Sequence, residues 1–184
     1  MDLVKILTDS LRAAVGVPAA AYALAAVGLN VQFGYTGLLN FGHVAFMMLG
    51  AYGTAVTVNE GGPLWLGLLV GMGAAALLGL LLGIPTLRLR ADYLAIVTIA
   101  AAEILRLVAR SNAAEGLTGG VFGIQAFADQ FYDINPIPVG RYGFGSFNFS
   151  QRQLWVILAG WAAVAVALLL LTALMRSPWG RVLR

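Results

Sequence analysis

No Asp, Glu, Lys or Arg occurs in the 47 residues between Arg12 and Glu60. Residues 61–87 and 153–175 are two further uncharged stretches. One crossing of a lipid bilayer takes about 20 apolar residues, so these stretches leave room for four or five spans. The chain is 60% hydrophobic and 10% charged, whereas about a quarter of the residues of a soluble domain are charged. We therefore expect an all-α polytopic membrane protein, because helices satisfy their own backbone hydrogen bonds in lipid.

The positions of the charges and prolines divide the chain into segments. Residues 1–12 carry charges at helical spacing opposite a row of apolar residues, which indicates an amphipathic helix in the membrane interface. A frayed polar terminus is the alternative. Four transmembrane or membrane-embedded helices are then expected within 13–110, at about 13–32, 41–59, 63–84 and 93–110, and a fifth at 153–176.

A glycine-rich, polar break runs from Gly28 to Gly42, across the boundary between the first two expected helices. Irregular backbone at membrane depth is tolerated only where protein or a water-filled cavity covers it. Its side chains can therefore contact a transported substrate, or they can satisfy each other within a packed bundle. We interpret the break as part of a substrate path, with these candidate residues: Asn30, Gln32, Gly34, Tyr35, Gly37, Asn40, Gly42 and His43.

Two other patterns concern helix faces. Small residues recur at every fourth position of the third expected helix, a spacing that allows another helix to approach closely: Gly67, Gly71, Ala75, Gly79 and Gly83. On the fourth expected helix, Glu103, Arg106 and Arg110 share one face because they are three and four residues apart. They form either an ion-paired outer charged face or a guide for an entering substrate.

Residues 111–152 are too polar for the membrane and are expected to form an ordered extracytoplasmic loop. The Phe/Gly/Ser alternation at 143–149 predicts a small hairpin within it. Arginines at 88, 90, 176, 181 and 184 would lie on one side of the membrane, and the positive-inside rule makes that side cytoplasmic. The tail, residues 177–184, is then cytoplasmic and the N-terminus is outside, against which Lys5 and Arg12 argue mildly.

Several classes of site find no support in the sequence. The chain has no cysteine, which excludes disulfides and thiolate ligands within it. His43 is the only histidine and has no carboxylate nearby in sequence, so it is a poor metal ligand and is expected to be a neutral, hydrogen-bonded residue. There is no catalytic constellation and no Walker motif. We expect neither an enzyme nor a cofactor, metal or nucleic-acid partner.

Four segments resemble one transporter family. They are ALAAVGLNVQFGYTGLLNFGHVAFMMLGAYGTAV at 23–56, GIPTLRLRADYLAIVTIAAAEILRLV at 83–108, LTGGVFGI at 117–124 and SPWGRVLR at 177–184. In order and spacing they are similar to the N-terminal part of the permeases of branched-chain amino-acid ABC importers, and most similar to the M-type subunit.

The resemblance implies an all-helical permease in the bacterial plasma membrane that forms part of a substrate path. It also implies a second, homologous permease subunit, two cytoplasmic ATPase subunits and an extracytoplasmic binding protein that delivers branched-chain or related amino acids. In the family, the SPWGRVLR segment leads into an ATPase-docking segment and further helices, so we expect the chain to be truncated. A non-functional fragment and a subunit of a secondary transporter or channel are the alternative readings.

Overall fold

The computed structural model describes residues 3–86, 91–125, 127–144 and 147–181, and most of these residues are helical. The helices are α1 (Leu3–Val15), α2 (Val17–Asn30), α3 (His43–Asn59), α4 (Leu64–Thr86), α5 (Ala91–Ala109), α6 (Glu115–Thr118), α7 (Asp129–Asp133) and α8 (Gln151–Arg176). A π-helical turn, Val31–Tyr35, extends α2, and short 3₁₀ turns cover Asn112–Ala114 and Pro178–Arg181. The expected helical fold class is confirmed.

Three of the helical segments are long and apolar enough to cross a membrane. They are Val17–Tyr35, Leu64–Ile84 and Gln151–Arg176. Helix α3 has 17 residues, about 25 Å at 1.5 Å per residue, which is short of the roughly 30 Å hydrocarbon core. Helix α5 carries Glu103 and Arg106. The described residues thus contain five long helices besides α1, three of which are long and apolar enough to cross a membrane, and four or five crossings remain a prediction.

The first helix boundary differs from the expected one. Helix α1 runs to Val15, so residues 13–15 belong to the amphipathic helix and not to the first span. The reason is local: Gly16 is extended, with φ −64° and ψ 172°, and Pro18 occupies the first turn of α2, where proline is tolerated. The arginines at 88, 90 and 184, on which the expected orientation partly depends, lie outside the described residues.

The chain forms two compact units, residues 1–36 with 134–184 and residues 37–133. In the first unit, α2 packs along α8. Ala20 is 3% exposed, and its Cβ lies 3.0 Å from the position that a Cβ on Gly160 would take. The Trp161 indole Nε1 donates a hydrogen bond to the Val15 carbonyl oxygen at 2.9 Å, which holds the α1–α2 junction against α8.

The expected hairpin is present as strands β1 (Arg141–Phe144) and β2 (Phe147–Ser150), which pair antiparallel. Ser150 also caps α8: its Oγ accepts from the Gln153 backbone N–H, and Gln153 Oε1 accepts from the Ser150 N–H. This capping box begins α8 two residues earlier than expected. Arg12 Nη2 donates to the same Gln153 oxygen at 3.3 Å, and the guanidinium lies 5.3 Å from the centre of the Phe149 ring. Helix α1 is therefore attached to the hairpin.

In the second unit, α3 and α4 form a closely packed antiparallel pair. A Cβ on Gly53 would lie 2.7 Å from the Gly71 Cα, and a Cβ on Gly67 would lie 2.9 Å from the Thr54 carbonyl oxygen. Gln130, on α7, closes the α3–α4 turn, because it accepts from the Leu64 N–H and donates to the Gly62 carbonyl.

Candidate functional site: the break and the groove between α3 and α5

The structure divides the glycine-rich break between the two units. Asn30 belongs to α2, and Gln32, Gly34 and Tyr35 lie in the π-helical turn that continues it. Gly37, Asn40 and Gly42 lie in the following non-helical segment of the second unit, and His43 begins α3. The non-helical part is thus only residues 36–42, shorter than the glycine and polar composition indicates.

In the first unit, the Asn30 side chain lies over Gly34. A Cβ on Gly34 would lie 2.5 Å from the Asn30 Oδ1 atom. The Thr36 hydroxyl donates to the Gln32 carbonyl at 2.8 Å, and the Thr36 N–H donates to the Val31 carbonyl at 3.2 Å. These bonds end the helix within its own turn. Gln32 and Tyr35 are half-buried.

In the second unit, the segment 37–42 is fixed by local bonds and by α5. Gly37 has φ +64°, a conformation that glycine adopts without strain. Asn40 is 9% exposed, and its Oδ1 accepts from the Gly42 N–H at 2.9 Å. Gly42 lies so close to the Thr98 carbonyl oxygen that no Cβ fits there.

Thr98 is the residue of this site that the sequence analysis missed. It is 3% exposed, and its hydroxyl accepts from the Phe41 N–H at 3.2 Å while donating to the Ala95 carbonyl at 2.9 Å. A buried polar group must be hydrogen-bonded, so this hydroxyl holds the break against α5. The sequence feature that could have indicated Thr98 is a single threonine within the uncharged run from Tyr93 to Ala102.

His43 differs from the expected hydrogen-bonded histidine. Its side chain is half-buried, and the Nδ1 atom is buried without a hydrogen-bond partner among the described residues. No group of three or more His, Cys, Asp or Glu side chains suited to a metal ion occurs in the described part of the chain.

Of the expected charged face, two residues form one ion pair. Arg106 Nη2 lies 2.6 Å from Glu103 Oε1, and Arg106 Nε lies 2.9 Å from Glu103 Oε2, which makes the pair bidentate. The two side chains are about half exposed. Arg110 is exposed and has no ion-pair partner within the ranges that the structure covers.

This ion pair forms one edge of a groove between α3 and α5. The groove has a volume of about 380 Å³, and every other residue that lines it is apolar: Phe41, Val44, Ala45, Met48, Ile99 and Ala102. On α5 the lining positions are three and four residues apart, so they share one face. Phe41, Val44 and Ile99 are more than half exposed in this chain.

Only some of the small residues in the repeat of α4 contact α3 closely. Gly67 and Gly71 contact α3 closely, whereas Gly79 makes an ordinary contact with the Phe46 ring at 3.6 Å. Ala75 is half-buried, and no described atom lies within 4 Å of a Cβ built on Gly83. The close approach is therefore confined to the first half of the repeat.

The glycines after Thr118 form a turn. Gly119 and Gly120 have φ +72° and +57°, and the Gly120 N–H donates to the Thr118 hydroxyl at 3.3 Å. The same hydroxyl lies 2.6 Å from the Ala109 carbonyl oxygen. Thr118 thus ties α6 to the end of α5. Beside it lies an apolar pocket of about 310 Å³ with no charged residue in its lining.

Comparisons with known proteins agree on one family. A family model described as "Branched-chain amino acid transport system / permease component" matches residues 12–184. The high-affinity branched-chain amino acid transport system permease protein LivM of Escherichia coli (strain K12) is 35% identical over 171 residues, and that of Salmonella typhimurium (strain LT2) is 34% identical over 171 residues. These alignments cover 87% of this chain and 40% of each relative, so the chain spans less than half of their length. No solved structure matches.

Proposed function

We propose that this chain forms part of the translocation path of an ABC importer. The premise is that the chain belongs to the family of permease components of branched-chain amino acid transport systems. The family match over residues 12–184 is the observation that carries the proposal. The substrates are branched-chain or related amino acids. ATP hydrolysis takes place on separate subunits, since the chain contains no Walker motif.

The architecture supports a path-forming subunit in the membrane. Three helical segments can cross a bilayer, and none of them contains an acidic residue. A secondary transporter, the competing reading, couples transport to ions through membrane-embedded acids, and such groups are few in this chain. We place the protein in the bacterial inner membrane as a multi-pass subunit.

The attachment of α1 to the hairpin bears on the orientation. Arg12 contacts Phe149 and Gln153, so the end of α1 and the hairpin lie side by side. The N-terminal helix and the hairpin are accordingly on the same side of the membrane. The arginine at 176 ends α8 at the other side, which the positive-inside rule makes cytoplasmic. We propose that the hairpin side faces the substrate-binding protein.

The other proposed partners are a second permease subunit and two cytoplasmic ATPases. The test expresses the complete reading frame that contains this chain in a bacterium without branched-chain amino-acid uptake, together with the permease and ATPase genes that accompany it. We expect saturable uptake of radiolabelled L-leucine. The matched control replaces the Walker lysine of each ATPase, and uptake should then stop. Uptake that persists in this control would refute the importer mechanism in favour of secondary transport.

A further inference from the structure

We infer that the groove between α3 and α5 binds the transported amino acid itself, with Arg106 receiving its carboxylate and Glu103 its ammonium group. This inference rests on the proposed function, because it names the place and the chemistry of substrate recognition. It uses only residues of the second unit, residues 37–133.

The charges at the groove are arranged as a zwitterion requires. In the bidentate pair, Arg106 uses its Nε–H and one hydrogen of Nη2, and Glu103 uses one lone pair of each oxygen. A guanidinium has five N–H donors, so three remain on Arg106, and each Glu103 oxygen retains a further lone pair. An α-amino acid laid beside the pair can therefore be bound at both charged groups by charge-assisted hydrogen bonds.

The rest of the groove suits a branched aliphatic side chain. Its lining is apolar apart from the ion pair, and its volume of about 380 Å³ is at the lower end of the range for small-molecule sites. Val44 and Ile99 present aliphatic surface from opposite walls. A substrate side chain that covers them is removed from water together with them, which favours leucine, isoleucine and valine over polar amino acids.

The wall of the groove is held rigidly where the substrate would lie. Phe41 lines the groove, and its backbone N–H is fixed by the buried Thr98 hydroxyl. Gly42 packs directly on the Thr98 backbone. The glycine-rich break thus acts by positioning one wall of the groove against α5. The ion pair itself is half exposed and contributes little to stability, so exchanging partners with a bound zwitterion costs the chain little.

The test measures binding of radiolabelled L-leucine to the complete transporter in membrane vesicles without the binding protein, with the variants Glu103→Gln and Arg106→Gln. Each variant is expected to raise the Kd for L-leucine at least about tenfold, the effect of losing one hydrogen bond to a charged group. The matched control is Glu60→Gln, since Glu60 is an exposed acid of the same unit that does not line the groove. The amount of each variant in the membrane is measured by immunoblot.

Two competing compounds distinguish the role of Glu103 from that of Arg106. The compound 4-methylpentanoate lacks the ammonium group of leucine, and 3-methylbutylamine lacks its carboxylate. Glu103→Gln should weaken inhibition by 3-methylbutylamine and leave inhibition by 4-methylpentanoate unchanged, and Arg106→Gln should do the reverse. Arg106→Lys keeps the charge without the planar fork, so its Kd for L-leucine should lie between those of the wild type and Arg106→Gln.

A second measurement does not depend on transport. Val44→Cys places a thiol in the groove of a chain that has no cysteine in residues 1–184. L-leucine should slow its labelling by a maleimide, and glutamate should not. Labelling at the same rate with and without L-leucine would contradict the inference.

The outcomes distinguish this inference from the proposed function. Normal wild-type uptake with an unchanged Kd for L-leucine in both charge variants would overturn the groove as the binding site and leave the importer function standing. An equal rise of the Kd in Arg110→Gln would also overturn it, since that residue lies outside the groove lining. A wild-type transporter that takes up no branched-chain amino acid would refute the proposed function and this inference together.

Discussion

Adding one methyl group at Gly71 should separate α3 from α4. A Cβ there would overlap the Gly50 carbonyl oxygen and would lie 2.8 Å from the Thr54 hydroxyl oxygen, and α3 backbone cannot move aside as a flexible side chain can. Overpacking of this kind costs about 1–3 kcal/mol, and contact with backbone places Gly71→Ala near the upper value. Alanine recovers about 1 kcal/mol through its better helix propensity. The net loss is therefore about 2 kcal/mol in the free energy of unfolding.

The matched control is Gly73→Ala, two residues further along the same helix. No described atom lies within 4 Å of a Cβ on Gly73, so this variant should be neutral or gain up to about 1 kcal/mol. The Tm of each purified variant is measured in detergent, with size-exclusion chromatography to monitor its thermal unfolding. A loss of 2 kcal/mol corresponds to a Tm about 4–8 °C lower for a protein of this size. Equal Tm values for the two variants would refute close helix approach at Gly71.

Three further substitutions test other contacts. Thr98→Val keeps the shape but removes the acceptor of the Phe41 N–H, so a loss of about 1–3 kcal/mol is expected, and an unchanged Tm would contradict the bond. Arg12→Gln removes the cation from the Phe149 ring, so α1 should leave the hairpin more often and a protease should cut α1 faster, with unchanged cleavage as the opposing result. Thr118→Val removes a hydroxyl that donates to the Ala109 or the Ala114 carbonyl and accepts from the Gly120 N–H, so amide hydrogen exchange in α6 should accelerate. Unchanged exchange would count against the turn's role.

The long helices could be predicted because charge is excluded from them over whole spans. The uncharged run at 153–175 predicts α8 to within two residues at its N-terminal end, and the remaining difference comes from the Ser150 capping box. The end of α1 could not be read from the charges, since residues 13–15 are apolar and uncharged in either helix. Only the extended Gly16 separates the two helices.

The break shows why sites are harder to predict than helices. Composition marks residues 28–42 as irregular, yet backbone hydrogen bonds keep Val31–Tyr35 helical through a π-helical turn. The residue that fixes the remaining segment, Thr98, is 57 positions from Phe41, and no local pattern indicates such a pairing. The charged face was visible from spacing, but only the structure shows that Arg110 stays outside the groove while the Glu103–Arg106 pair borders it.

The most direct test of the account is ATP-driven uptake of L-leucine by proteoliposomes. They should contain the complete permease, its partner permease and the ATPases, with the binding protein added outside. If this chain is part of an ABC importer for branched-chain amino acids, uptake is saturable, requires ATP and the binding protein, and is inhibited by isoleucine and valine. Accumulation driven by an ion gradient without ATP, or ATP-dependent uptake that branched-chain amino acids do not inhibit, would contradict it.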